Sequence, residues 1–108
     1  MRIAPYKIQL LTVIDGVKVF LVNSDVLEQL HPVWNEYLGS HHYGKESSFI
    51  PEDEIFISNK VPVGDLKKVI MHEYVERAIM KVLKIQYSMS PEQAWVIAHY
   101  FVQDKLGL

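Results

Sequence analysis

The connection Ile85–Ser90, IQYSMS, is the tightest constraint in this chain. It separates two long segments that both read as helices, and so short a link favours an antiparallel pair. The first helix is expected over about residues 65–84, opening at Gly64-Asp65 with Asp65 as its cap. The second opens on Ser90-Pro91-Glu92-Gln93, with serine at the cap, proline at the first helical position and glutamine at the third. It is expected to run to about Leu106 and to end at Gly107.

Helical geometry places ionisable groups on the inward stripes of both helices. At about 100° per residue, Val69, Val75, Ile79 and Leu83 lie on the same side as His72, and Glu76 lies within that stripe. Glu73 falls at its edge. Ile70 and Tyr74, on the back, imply that this helix is covered on more than one side. Lys67, Arg77, Lys81 and Lys84 fall on the far side and, with Lys68, form a basic outer face. On the second helix His99 sits among Trp95, Val96, Val102 and Leu106. Glu76 and His99 are almost equally distant from Tyr87, in opposite directions, so an antiparallel pair sets them at nearly one height. His72 stands one turn further on. Burying two imidazoles and a carboxylate together is costly unless something binds them, and a divalent cation would satisfy all three. The alternative is a structural cluster in which Glu76 pairs with His99.

The rest of the chain reads as strands and a short helix. KIQLLTV (7–13) and VKVFLVN (17–23) flank Ile14-Asp15-Gly16, a strong hairpin signal. In the second strand Val17, Val19 and Leu21 oppose Lys18, Phe20 and Val22, so both faces are partly covered. Ser24-Asp25 reads as the cap of a helix over about 25–38 that Pro32 interrupts and Gly39 ends. GSHHYGKESS (39–48) reads as a polar loop, and a strand is expected at 54–58. The order strand, strand, helix, strand, helix, helix makes an α+β fold: a small antiparallel sheet packed against the helix pair and a short helix. With 108 residues the chain is expected to form one domain, 1–108.

Composition narrows the function classes. The net charge is -2, which gives no basic excess for nucleic acid, and no recognition pattern for nucleic acid is present. With no cysteine, any metal must be held by imidazole and carboxylate. The N-terminal segment does not read as a signal peptide, and no apolar run reaches the roughly 20 residues of a membrane span. A cytoplasmic location is the expectation.

His72-Glu73-x-x-Glu76 resembles the H-E-x-x-H helix of the zincin metallopeptidases, with a carboxylate in place of the second histidine. The resemblance implies His72 as first ligand, Glu73 as the general base acting on the attacking water, Glu76 in the second ligand position and His99 as third ligand. A strand ahead of the motif helix also fits that family, and an extended peptide substrate would lie beside 54–58. Zinc is the leading metal, with Fe(II) or Mn(II) also suited to two histidines and a carboxylate. Tyr100, His41 and His42 are candidates for stabilising an oxyanion, although the simpler reading of His41-His42 is a solvated loop pair. I-P-E-x-E-I-F-I followed by H-E-x-x-E-R-x-x-M and a later Ala-His also resembles small uncharacterised proteins of prokaryotic genomes and mobile elements. Three functional readings follow. The first is a metal-dependent hydrolase acting on peptides. The second is a non-catalytic protein-binding domain with a structural His/Glu cluster. The third, a nucleic-acid accessory protein, has the least support. Trp34, Tyr37 and Phe101, expected on the surface, leave room for a homodimer.

Overall fold

The structure, a computed structural model, describes residues 4–34 and 37–108. Its N-terminal hairpin joins β1 (Lys7–Ile14) to β2 (Val17–Val22). Asp15 and Gly16 both have positive φ, 49° and 81°, as the right-handed twist of a two-residue hairpin requires. The chain next forms α1 (Ser24–Leu30) and a 3₁₀ turn at Pro32–Trp34. Asn23, one residue before the expected Ser24-Asp25, is the cap, and its side chain accepts from the Val26 amide at 3.2 Å. Residues 35 and 36 of the expected 25–38 helix lie outside the described residues.

Two further strands complete a four-stranded sheet in the order β1-β2-β4-β3. β4 (Glu54–Ser58) is the predicted strand. β3 (Gly39–His41) occupies the start of the segment expected to be a loop. The sheet is largely antiparallel, but β4 runs parallel to β2, with Val19 opposite Ile55, because the chain crosses over through α1 and β3 between them. All five residues of β4 are buried, since it has a strand on each side and a cover on each face. No peptide can therefore pair beside 54–58, as the sequence reading had it; the edge on that side belongs to β3.

On one face of the sheet Val17, Val19, Ile55 and Ile57 pack against Val69, Ile70 and Tyr74 of α2 (Leu66–Ile85). On the other, Val22 and Phe56 meet Leu27, Trp34 and Ile50. Trp34 is thus a core residue, 1% exposed, and not a surface aromatic. Its indole N–H donates to Ser24 Oγ at 3.1 Å, and Ser24 Oγ in turn is hydrogen-bonded to Ser58 Oγ. Phe101 remains exposed at the surface.

α3 (Pro91–Tyr100) lies antiparallel to α2: Met80 meets Ala94 and Ala98, and Glu76 meets His99. Ser90 Oγ accepts from the Gln93 amide, so this cap is as predicted. Asp65 makes no side-chain cap; a 3₁₀ turn at Val63–Asp65 leads into α2 instead. Beyond Tyr100 the helix loosens into a π turn, Phe101–Lys105, which carries it to its expected end near Leu106. Gly107, at φ 67°, closes it, and the Leu108 amide donates to the Val102 carbonyl at 3.1 Å. Among the described residues no helix is long and apolar enough to cross a membrane.

Because Trp34 is enclosed and its indole N–H is bonded, Trp34→Ala is expected to cost about 3–5 kcal/mol. Urea unfolding followed by circular dichroism checks this; a loss under about 1 kcal/mol would contradict the burial.

Candidate metal centre

The buried line of α2 is Glu73, Glu76, Arg77 and Met80, roughly a quarter-turn round from a stripe centred on His72. The rotation follows from the neighbours. Leu66, Val69, Ile70 and Tyr74 turn to the sheet, while the side carrying Glu73 and Glu76 is closed by β3 and α3. Arg77, placed on the outer basic face by the sequence, is buried instead. Its Nε and Nη2 donate to the Glu52 carbonyl at 3.2 and 2.7 Å, which ties α2 to the turn before β4. α3 buries Ala94 and Ala98 and the π turn beyond it buries Val102, while Val96 and Leu106 are exposed and His99 lies at the margin. The two alanines let the helices approach closely enough for His99 to reach Glu76.

Glu76 is the hub. Its Oε2 accepts from His72 Nε2 at 3.0 Å and His99 Nδ1 at 2.9 Å, and its Oε1 accepts from His41 Nε2 at 3.1 Å. His72, Glu76 and His99 each offer one ligand atom, all within 4.8 Å of one another, as the sequence anticipated. His41 is a correction to the loop-pair reading: it ends β3, is wholly buried and belongs to the cluster. His42 turns away and binds the Ile50 carbonyl through Nδ1 at 2.8 Å. Tyr100 is 66% exposed and interacts with Asp104, so neither is in contact with the cluster. The sequence reading offered His41 as an oxyanion candidate but missed its place beside Glu76, and it missed the Leu108 carbonyl. A signal for the former existed: a strand as apolar as 54–58 needs neighbours on both sides, and the residues before it had to supply one.

His72, Glu73, Glu76 and His99 line a cavity of about 460 Å³, walled by Trp95 and by Gly39 and Ser40 of β3. Trp95 stacks on His99 with ring centroids 4.4 Å apart, and Lys45 Nζ stands 4.3 Å over the indole. Glu73, expected at a stripe's edge, is 7% exposed. A Cβ on Gly39 would come within 2.9 Å of Glu73 Cγ, so glycine is what lets β3 pass so close. Glu73 Oε2 lies 3.8 Å from His72 Nε2, beyond hydrogen-bond distance.

The electrostatics follow from this packing. Burial alone would raise the Glu76 carboxyl, but hydrogen bonds from His41, His72 and His99 hold it well below the usual carboxylate range. His72 is pushed up to about 9, first by its bond to Glu76. Its Nδ1 also faces an acceptor, the Leu108 carbonyl at 3.1 Å, so both ring nitrogens donate and the ring is an imidazolium. Burial lowers His41 despite its contact with Glu76. Burial and then the Glu76 charge push Glu73 up to about 8.

These residues fit a divalent cation. A tetrahedral ion with bonds of about 2.0–2.1 Å holds its ligands roughly 3.3–3.4 Å apart. The His–Glu76 separations of 2.9 and 3.0 Å need widen only by tenths of an ångström. Loss of one proton from His72 Nε2 frees a lone pair, while Nδ1–H stays on the Leu108 carbonyl and fixes the tautomer. His41 Nε2–H steadies the other oxygen of Glu76 in the same way. Comparison with family models, curated proteins and solved structures finds no match for this chain.

The shifts set the pH behaviour of the metal-free protein. Glu73 and His72 titrate in the fold at about 8 and about 9, above their ordinary 4.5 and 6.5. Their contributions are full below those ordinary values and are lost as pH rises through the folded ones. Glu76 is depressed, so its contribution is lost only as pH falls below 4.5. With a chelator present, the urea midpoint should therefore fall steadily between about pH 6.5 and pH 9. A flat or rising midpoint over that range would contradict the assignment.

Proposed function

We propose that the chain is a small metal-dependent hydrolase of the zincin-like kind, acting on peptide bonds. His72 Nε2, Glu76 Oε2 and His99 Nδ1 would hold one divalent cation, zinc first, with Fe(II) or Mn(II) as alternatives. One observation carries the reading: three ligand atoms within 4.8 Å of one another stand on the wall of a cavity, beside a buried carboxyl, Glu73. Three protein ligands are the number found in catalytic zinc sites, which keep a position open, and structural sites usually have four. When bound, such an ion polarises a carbonyl and makes water a better nucleophile.

The chain's own groups supply the remainder. Glu73, one residue past His72 and facing the cavity, takes a proton from the attacking water at its carboxylate and returns it to the leaving nitrogen. His72 and His99 orient through their partners, the Leu108 carbonyl and the Trp95 ring. Among the described residues β3 is the edge strand on that side, and its Gly39 and Ser40 line the cavity, so an extended peptide would lie along that edge. The oxyanion role first given to His41 passes to none of the named candidates. His41 instead supports Glu76.

A second reading, a non-catalytic binding domain with a structural cluster, is favoured by one fact: each of the three histidines already has a hydrogen bond to Glu76. The two readings part on two substitutions. At one equivalent of zinc, Glu73→Gln should keep the ion and lower hydrolysis of a peptide library by about 10²–10⁴-fold. Glu76→Ala should lose the ion altogether, as read by elemental analysis. Equal turnover, or none, in wild type and Glu73→Gln would favour the structural cluster.

A further inference from the structure

Glu76 offers its two oxygens to two different sets of donors. Oε2 faces His72 and His99, whereas Oε1 faces His41 Nε2 at 3.1 Å. A second triplet, His41, Glu73 and Glu76, also brings one ligand atom from each member within 4.8 Å, and all three residues are buried. Two members of this triplet are incompletely satisfied. Glu73, 7% exposed and lining the cavity, makes no hydrogen bond among the described residues; His72 Nε2 stands 3.8 Å from its Oε2. His41 Nδ1 is buried with no partner. The tautomer of His72 is fixed from behind by a carbonyl. Among the described residues His41 has one acceptor, Glu76 Oε1, and a cation seated at that oxygen would free its tautomer. Its ring can carry the proton on Nδ1 and leave the Nε2 lone pair for a cation. A buried carboxyl without donors avoids the cost of its charge by holding a proton, and a cation is the partner that can take that proton's place.

We propose a second divalent-cation site formed by His41 Nε2, the Glu73 carboxylate and Glu76 Oε1, bridged to the first by the Glu76 carboxylate. Ions sharing such a ligand stand about 3.5–4 Å apart. The inference rests on the first centre of the proposed function, because the bridge is its Glu76. Two cations bring four positive charges against two carboxylates, so the second ion is the weaker and fills only in excess metal. Once seated, it occupies the oxygen of Glu73 that would otherwise take a proton. The second ion therefore acts as a brake on the hydrolase, and free metal concentration sets it.

Binding itself is the test. Metal-stripped protein is dialysed against excess Mn(II), the bound metal is counted by elemental analysis, and electron paramagnetic resonance is recorded. Wild type should bind two ions per chain and show the spectrum of a spin-coupled pair. Glu73→Gln and His41→Gln should each lose one ion and the coupling while keeping the other ion. Glu73→Gln is nearly isosteric, so it decides the matter should His41→Gln, a change in a wholly buried ring, fail to fold. One ion in wild type at saturating Mn(II) overturns the second site and leaves the first standing. Two ions retained in Glu73→Gln overturns it as well, by placing the second ion elsewhere. No bound ion at all overturns both this inference and the proposed function.

Discussion

The acceptance of three imidazole N–H groups by one carboxylate, Glu76, is the interaction on which this fold turns. Glu76 is 4% exposed, and an interior carboxylate costs several kcal/mol unless its oxygens are occupied. The donors come from three elements: His41 from the end of β3, His72 from α2 itself and His99 from α3. The contact that makes the charge tolerable therefore also joins sheet edge, central helix and outer helix. Pairing of this kind is seldom a net gain over an apolar core. Its presence at the centre of a small domain calls for a reason other than stability, and a cation site supplies one.

The surrounding residues are arranged around that hub. Gly39 lets β3 pass over Glu73, and Ala94 and Ala98 bring α3 down onto α2. Arg77 holds the adjoining turn through the Glu52 carbonyl. The π turn and Gly107 fold the chain back so that the Leu108 carbonyl meets His72. That last contact has a chemical consequence. A ring whose rear nitrogen is committed to a carbonyl can give up only its front proton, so binding of an ion at His72 must release a proton to solvent. Glu73, held at about 8 by burial, sits where such exchange can be used.

The helix hairpin and the strand at 54–58 were legible in the sequence because short-range signals agree there. The Ser90 cap, Asp15-Gly16 and the apolar run 54–58 each state their structure locally. The pairing of Glu76 with His99 was legible because an antiparallel hairpin converts sequence distance into height. What was not legible was rotation about the helix axis. A wheel centred on His72 misjudged Glu73 and Arg77, because the sheet, β3 and α3 together decide which side of α2 is enclosed. The place of His41 beside Glu76 was missed for a related reason. A three-residue strand in the glycine- and serine-rich segment 39–48 has no periodicity to read, and its existence is dictated by β4 on its other side. Trp34 was misjudged because its cover is assembled from β2, β4 and the turn at Ile50, all distant in sequence.

X-ray absorption at the zinc edge tests the central claim most directly, since it reads the ligands and not the consequences of binding. Protein stripped of metal and given one equivalent of zinc should show a first shell of nitrogen and oxygen at about 2.0–2.1 Å, with the outer-shell scattering of two imidazole rings. That scattering should be absent in His99→Ala combined with His72→Ala. A shell of oxygen alone, or zinc that remains in solution, would contradict the account and leave Glu76 and its histidines as a structural knot.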